Sequence, residues 1–313
     1  MTRIYFATDV HGSEICWKKF ISAGKFYEAN ILILGGDMTG KAIVPIVAQG
    51  NEKWKVTLLD QESILDGRAA VDAMVQTIQN RGYYPYVTTP DEVAHISATP
   101  GRSDEIFLQE ALKVVQRWLE YADSKLAGTG MRCYVCPGND DMMEIDPVLR
   151  GSKVVEIVEG KVIHLDEYHE MISTGWSNPT PWNTHREESE AALKVRIEPM
   201  IAELSDIPNA VFNLHAPPYG SGLDEAPELT KDLRPAYGGR SIVPVGSKTV
   251  LELIEKHKPL LGLFGHIHEG KGTRKFGRTL CINPGSMYEQ GMLVGAVVDL
   301  KPKAVGNYLM ATG

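Results

Sequence analysis

Two histidines separated by a single residue, His266 and His268, directly follow an apolar run at residues 260–264. Such a run is typical of a buried strand, so both imidazoles stand where a strand gives way to a loop and can turn into one cleft. A histidine pair in a turn is more often solvated or packed than bound to a metal. The pair therefore becomes informative only when the other strand ends are considered with it.

Four further apolar runs end in residues that commonly bind metals. These residues are Asp9 with His11, then Asp37, Asn139 and His215. The first two runs and the helix predicted between them form a β-α-β unit, and open α/β sheets bind ligands at the carboxyl ends of their strands. Five strand ends of this kind predict a metal site at one edge of the fold.

The chemistry of the set indicates which metals it would take. Histidine nitrogens combined with two carboxylates and one amide form a mixed nitrogen and oxygen set, which suits Mn, Fe, Zn or Co. Mg and Ca prefer shells made only of oxygen. Seven ligands are too many for one ion that must also hold a substrate, so we expect two ions with one carboxylate bridging them.

The ordered segments resemble the five motifs of the calcineurin-like metallophosphoesterases. They are Asp9-Val10-His11, Gly35-Gly36-Asp37, Gly138-Asn139-Asp140-Asp141, His215-Ala216 and Gly265-His266-Ile267-His268. The resemblance covers both ends of the chain but not residues 40–102. It implies an α/β fold in which two packed mixed β-sheets are flanked by helices as a four-layer sandwich, with the metals in loops at one edge.

The resemblance also implies how the ligands divide. One metal would be held by Asp9, His11, Asp37 and His268, and the other by Asp37, Asn139, His215 and His266, with Asp37 as the bridge. A water bridging the two ions would become the hydroxide that attacks phosphorus in line, and the ions would neutralise the charge on the phosphoryl oxygens.

At one position the chain departs from that pattern. Many relatives carry a histidine after the motif asparagine as a general acid, whereas this chain has Asp140. Asp140 could act as the acid only if its pKa were raised, which two nearby cations would oppose, so a supporting or solvated carboxylate is the alternative interpretation. Asp141 matches the acidic position of the family and is expected to orient ligands through hydrogen bonds.

Two residues outside the motifs are candidates for contact with the substrate. His185 lies beside Trp182 in a proline-rich loop and is the histidine to test as a substitute proton donor. Arg240 lies in a long loop, residues 219–246, from which a guanidinium could reach a phosphate. For each, an ordinary surface position is the alternative.

Composition narrows the function class. The formal net charge of −8 indicates no excess of basic residues for binding phosphates, so duplex nucleic acid is disfavoured as a partner. A local groove that binds a single strand is still compatible with this charge. No apolar stretch approaches the roughly 20 residues that a membrane helix needs. Neither the first residues nor the cysteine content indicates export, so we expect a cytoplasmic protein.

The four cysteines include a C-x-x-C pair, Cys133 and Cys136. The pair lies in a predicted strand, where residues three apart face opposite sides of the sheet. A shared zinc ion or a disulfide is therefore not expected, and buried structural cysteines are the prediction.

Residues 40–102 interrupt the alternation of predicted strands and helices. Two predicted strands at 42–48 and 53–59, a helix at 68–80 and a short helix from Thr89-Pro90 indicate an inserted α+β cap within one metallophosphoesterase domain spanning 1–313. This cap could select a small substrate or mediate an oligomer. Near the end of the chain, residues 279–300 are predicted to complete the second sheet.

The function predicted from these features is a dinuclear phosphodiesterase that acts on a small, nucleotide-like phosphate ester. A phosphomonoesterase or a nucleotide pyrophosphatase would use the same metal ligands and is the nearest alternative. A catalytically weak scaffold that binds a protein partner through the cap is an alternative of another class, favoured only by Asp140. A nuclease ranks third because of the acidic balance.

Overall fold

The computed structural model describes all 313 residues and contains eighteen strands and seven α-helices. The strands are β1 (Thr2–Ala7), β2 (Ile31–Leu34), β3 (Ile43–Gly50), β4 (Lys53–Leu58), β5 (Gln61–Asp66), β6 (Tyr84–Thr88), β7 (Arg132–Val135), β8 (Val155–Ile157), β9 (Lys161–His164), β10 (Glu170–Thr174), β11 (Val211–Leu214), β12 (Glu225–Pro227), β13 (Ile242–Pro244), β14 (Leu261–Leu263), β15 (Gly272–Phe276), β16 (Thr279–Asn283), β17 (Val294–Lys301) and β18 (Ala304–Thr312). The helices are α1 (Glu14–Phe26), α2 (Gly67–Asn80), α3 (Pro90–Ala98), α4 (Arg102–Leu126), α5 (Ile145–Leu149), α6 (Glu190–Glu203) and α7 (Lys248–His257).

Two six-stranded mixed sheets form the centre of the molecule. Their strand orders are β18-β17-β1-β2-β7-β8 and β15-β16-β14-β11-β10-β9. In β1, Ile4 and Phe6 belong to the core between the sheets, while Tyr5 and Ala7 belong to the core on the outer face. Because successive side chains of a strand point to opposite faces, this short apolar strand is buried on both sides.

Helices cover the two outer faces and complete four layers. Helices α1 and α4 pack on the first sheet, and α6 and α7 pack on the second. The long helix α4 buries only one stripe, as its apolar spacing predicts. No helix in the structure combines the length and the apolar character that a bilayer crossing requires. The predicted fold of two packed mixed sheets flanked by helices is confirmed.

The last strands correct one prediction. We expected residues 279–300 to complete the second sheet; β16 does so, but β17 pairs antiparallel with β1, and β18 follows it at the edge of the first sheet. Every residue of β17 except Lys301 is buried, so its sequence carries no alternation that would identify a partner sheet. The choice depends on pairing with a strand almost 300 residues away.

Residues 40–102 form a separate four-stranded sheet, in the order β5-β4-β3-β6, with its own small core against α2. The predicted strand pair and both helices are present, but β5 and β6 were not predicted. Strand β5 has only two apolar residues, and β6 contains Pro85, which disfavours a strand in the middle of a sheet. Both lie at the edges of this sheet, where such sequences are tolerated.

All four cysteines are free and buried, as the sequence predicts. Cys133 belongs to the core on the outer face of the first sheet, and Cys136 to the core between the sheets. The two thiols of the C-x-x-C pair therefore point away from each other, which excludes a disulfide between them.

Candidate metal centre

The structure brings together all seven residues predicted as metal ligands, at the edge where β1, β2, β7, β11 and β14 end. We call them the ligand cluster: Asp9, His11, Asp37, Asn139, His215, His266 and His268. The first five in chain order are at most 3% exposed, and the last two are half-buried. A buried group of this size with so many polar atoms requires partners within it.

Asp9, His11 and His268 form one half of the ligand cluster. The Nε2 atoms of His11 and His268 lie 3.0 Å apart. Oδ1 of Asp9 lies 3.5 Å from Nε2 of His268 and 3.9 Å from Nε2 of His11. Nitrogen and oxygen atoms of three side chains thus face one small volume.

Asp37, His215 and His266 form the other half. Oδ2 of Asp37 lies 3.3 Å from Nε2 of His215, and the amide oxygen of Asn139 lies 3.1 Å from the same nitrogen. Candidate ligand atoms of Asp37, His215 and His266 all lie within 4.8 Å of one another.

Asp37 connects the halves. The oxygen that lies 3.3 Å from His215 lies only 3.6 Å from Nε2 of His11. One carboxylate oxygen is therefore within reach of imidazoles from both groups.

The donor atoms of the ligand cluster suit a metal site. Two nitrogen ligands at about 2.1 Å from one ion, at right angles, lie about 3.0 Å from each other. That separation is the one between the Nε2 atoms of His11 and His268. The donors are imidazole, carboxylate and amide groups without a thiolate, which favours Mn, Fe, Zn or Co.

Burial and charge set the protonation of the imidazoles. Burial, aided by the charge of His215, lowers the pKa of His266 to about 4, so this ring is neutral near pH 7 and offers a lone pair. Burial opposes the protonation of His215 as well, but the Asp37 carboxylate raises the pKa of His215 to about 9. An ion bound at this position would take the place of that proton.

The backbone of the ligand cluster is strained. Asp9, His11, Asp37 and His266 have φ angles of 52°, 38°, 47° and 67°, in the left-handed region that side chains other than glycine rarely adopt. Each such residue costs of order 1–3 kcal/mol and persists only where the surrounding structure enforces it. Four such residues in one cluster show that the surrounding structure enforces this backbone conformation.

Glycines permit the close approach of the loops. A Cβ atom on Gly36 would lie 2.1 Å from Nδ1 of His215, and one on Gly138 would lie 2.2 Å from Oδ1 of Asp37. Neither position tolerates a side chain without displacing a ligand.

Asp141 holds the loops rather than the ligands themselves. Its carboxylate accepts hydrogen bonds from the backbone N–H groups of Met38, Thr39 and Gly138 at 3.0, 2.8 and 2.8 Å. These groups flank Asp37 and Asn139 in sequence. Asp141 thereby fixes the two loops relative to each other, without touching a ligand side chain.

Asp140 lies beside the ligand cluster. Its backbone N–H donates to Oδ1 of Asp37 at 2.9 Å, and its Oδ2 lies 3.2 Å from Nζ of Lys41 and 3.9 Å from Nδ1 of His11. Burial and the Asp37 carboxylate raise the pKa of Asp140 to about 6, although bound cations would act in the opposite direction.

Sequence reasoning did not identify Lys41, Thr184 or Tyr288. Thr184 Oγ1 accepts a hydrogen bond from Nδ2 of Asn139 at 2.7 Å, which leaves the amide oxygen turned toward His215. The ring of Tyr288 packs on His11, with centroids 4.8 Å apart. The only available signal was the position of Lys41, four residues after Asp37.

His185 and Arg240 do not join the ligand cluster. Both side chains are exposed, and neither forms a hydrogen bond or an ion pair with a residue of the cluster. The neighbours of His185, Thr184 and Arg186, are the residues that turn inward. This loop therefore contacts the site through Thr184 and Arg186, whereas the side chain of His185 points to solvent.

No family model matches the chain. The uncharacterized protein MJ1162 of Methanocaldococcus jannaschii is 28% identical over 177 residues, which are 56% of this chain and 71% of that protein. Among solved structures, TT1561 of Thermus thermophilus aligns with a TM-score of 0.52 at 14% identity, over 100% of this chain and 98% of that one. Another crystal structure aligns with a TM-score of 0.55 at 14% identity, over 98% of each chain. At this identity the alignments establish the shared fold.

Proposed function

We propose that this chain, whose fold and five strand-end motifs resemble the calcineurin-like metallophosphoesterases, is a metal-dependent phosphoester hydrolase. It would hold two ions chosen from Mn, Fe, Zn and Co. The whole chain, residues 1–313, would form one catalytic domain, and residues 40–102 would form a cap beside the metal centre.

One observation carries this proposal. Oδ2 of Asp37 lies 3.6 Å from Nε2 of His11 and 3.3 Å from Nε2 of His215. A carboxylate positioned between two groups of ligands can serve both, which is the arrangement a dinuclear centre needs.

Two cations bound here would acidify a water between them and neutralise charge on the phosphoryl oxygens. The protein's part is to hold the ligands without rearrangement. Asp9 accepts hydrogen bonds from the backbone N–H of His266 at 3.1 Å, and Asp141 ties together the loops that carry Asp37 and Asn139. Side chains that are already aligned need not rearrange when the ions and the substrate bind, so no free energy is spent on ordering them.

We infer that the substrate is a small, nucleotide-like phosphodiester. The formal net charge of −8 disfavours a long nucleic acid, and the separate sheet of residues 40–102 could limit access. A phosphomonoesterase or a nucleotide pyrophosphatase would use the same ligands, so a panel of diesters, monoesters and dinucleotides distinguishes them. The free, buried cysteines support a reducing, cytoplasmic setting.

The test is hydrolysis of bis-p-nitrophenyl phosphate by the purified chain with Mn²⁺. Asp37→Ala should abolish it, because the substitution removes the ligand shared by both groups. Asp72→Ala, which removes an exposed carboxylate paired with Arg68 on α2, is the matched control and should retain wild-type activity. Activity that survives Asp37→Ala would mean that the bridge is wrongly assigned.

A catalytically weak scaffold on the same fold is the second candidate, favoured by the carboxylate of Asp140 beside the ligands. The wild-type chain would then bind metal without hydrolysing any phosphate ester supplied with Mn²⁺, Fe²⁺, Zn²⁺ or Co²⁺.

A further inference from the structure

Lys41 is the only lysine or arginine that forms an ion pair with a carboxylate of the ligand cluster or of its neighbours Asp140 and Asp141. Its Nζ lies 3.2 Å from Oδ2 of Asp140. The side chain of Lys41 is 46% exposed and that of Asp140 is 20% exposed. The ammonium group therefore stands at a place where the buried cluster meets solvent.

The backbone at this lysine is held firmly. The N–H of Gly40 donates a hydrogen bond of 2.7 Å to the hydroxyl of Tyr84, a buried residue whose ring packs on Phe107. A Cβ atom on Gly40 would lie 2.3 Å from the carbonyl oxygen of Gly82, so these two chain segments are in direct contact. The backbone from which the Lys41 side chain extends is therefore held in place, and the ion pair with Asp140 fixes the position of its ammonium group.

Cleavage of a phosphate ester leaves negative charge on the departing oxygen, and this oxygen needs a cationic or acidic partner. The carboxylate of Asp140 would repel it when ionised. A lysine ammonium has three N–H donors, so Lys41 can keep its pair with Asp140 and still donate to a second oxygen. His185 and Arg240, the other candidates, are exposed and form no hydrogen bond or ion pair with the cluster.

We propose that Lys41 is a catalytic residue that contacts the leaving-group oxygen of the substrate, and that Asp140 is a positioning residue that holds Lys41. This assignment rests on the proposed phosphoester hydrolysis. As the water oxygen forms its bond to phosphorus, the bond between phosphorus and the leaving oxygen breaks and its electron pair stays on that oxygen. An N–H of Lys41 donates a hydrogen bond to this oxygen, and solvent water supplies the proton that it finally carries.

The experiment compares two diesters that differ in their leaving groups. Bis-p-nitrophenyl phosphate releases a stabilised phenolate, and diphenyl phosphate releases a more basic one that depends more on a cationic partner. Lys41→Met keeps an unbranched, flexible side chain that is one atom shorter, and removes its charge. We expect it to lower kcat/KM on diphenyl phosphate by at least about tenfold more than on bis-p-nitrophenyl phosphate. Lys41→Arg should restore part of the difference.

The matched control is Lys55→Met. Lys55 is 44% exposed and pairs with Glu62 on the inserted sheet, so it shares the exposure and pairing of Lys41 without its place beside the ligands. Metal content, measured by elemental analysis, should equal the wild-type value in every variant. An equal loss on both esters, no loss, or a loss of bound metal in Lys41→Met would overturn the assignment. A wild-type chain inactive on both esters would overturn the proposed function and this assignment with it.

The role of Asp140 has its own readout. Asp140→Ala should reduce activity with the same dependence on the leaving group, because it frees the ammonium of Lys41. Oδ1 of Asp140 also accepts a hydrogen bond from Nδ2 of Asn139 at 3.0 Å, so the unchanged metal content of this variant is the check that the loss does not come from the ligands. In the Lys41→Met background it should then add little further loss, since the residue acts through Lys41. Independent, additive losses would instead assign Asp140 a role of its own.

Discussion

Nδ1 of His215 lies 3.1 Å from the carbonyl oxygen of Gly35, and this contact decides which nitrogen the imidazole offers to a metal. Because the carbonyl can only accept, Nδ1 of His215 carries an N–H, and Nε2, which faces Asp37 and Asn139, is the nitrogen whose proton a bound ion would replace. The end of β2 thereby orients a ligand from the other sheet.

Gly36→Ala should disrupt this arrangement. The added Cβ would lie 2.1 Å from Nδ1 of His215, and the φ of 143° at this position is itself unfavourable for alanine. We expect reduced metal content and a loss of about 1–3 kcal/mol in the free energy of unfolding. Gly128→Ala is the control, since its φ is 74° but nothing lies within 4 Å of the new atom. Urea denaturation measures the free energy of unfolding, and elemental analysis measures the metal content. Full metal content in Gly36→Ala would contradict the predicted clash with His215.

Metal ions should stabilise the fold through Asp37. A ligand at about 100 times its Kd raises the free energy of unfolding by about 2.7 kcal/mol, so Mn²⁺ should raise Tm in a thermal titration. Chelation should reverse the rise. Mg²⁺ should act more weakly, because the cluster contains four histidines. Asp37→Ala should lose most of the Mn²⁺ effect, and an undiminished rise in that variant would refute a shared ligand.

Arg186→Met should destabilise the protein. This guanidinium is 1% exposed and donates to the carbonyl oxygens of Asp141 and Met142 at 2.9 and 3.2 Å, and to Oδ1 of Asp146 at 2.6 Å. Removing one partner of a buried pair costs about 3–5 kcal/mol. Urea denaturation should show a loss of that order.

Arg68→Met is the matched control for this experiment. Arg68 forms an exposed pair with Asp72 on α2, and such pairs contribute at most about 1 kcal/mol. Similar losses of unfolding free energy in the two variants would show that the buried hydrogen bonds of Arg186 stabilise the fold no more than the exposed pair of Arg68 does.

Glu190→Gln should reveal a pH-dependent link between α6 and α7. Burial opposes ionisation, but hydrogen bonds from Ser247 Oγ at 2.7 Å and from the backbone N–H groups of Thr249 and Lys248, both at 2.9 Å, lower the pKa of Glu190 below 4.5. Because the folded pKa is the lower one, the ionised group stabilises the fold above pH 4.5, and this contribution is lost as the pH falls through the folded pKa.

The difference in unfolding free energy between wild type and Glu190→Gln should therefore be largest near pH 7. It should shrink as the pH falls below 4.5 in urea denaturation measured across this range. Glu255→Gln, on the exposed side of α7, is the matched control. A difference that stays constant from neutral pH down to about pH 3 would contradict the assignment.

Much of the candidate metal centre could be predicted from local sequence. Apolar runs followed by Asp9, Asp37 and His215 mark strand ends, and carboxyl ends of neighbouring parallel strands meet at one edge. The types of the seven ligands also indicate the class of metal, because coordination preferences depend on donor atoms alone. The predictions that failed concerned elements without a distinctive local pattern. Strands β5 and β6 were missed, and β17 was assigned to the wrong sheet.

By itself, then, the sequence determined which residues are candidate ligands, the strands that carry them and the two-sheet class of fold, because each follows from side-chain chemistry or short-range periodicity. Only the tertiary structure decided that Asp37 lies between His11 and His215, and that Lys41 pairs with Asp140 while His185 points to solvent. The physical reason is that these contacts join residues far apart in the chain, or depend on side-chain direction. Their distances are fixed by the packing of one sheet on the other and by the loops between strands, which no local pattern encodes.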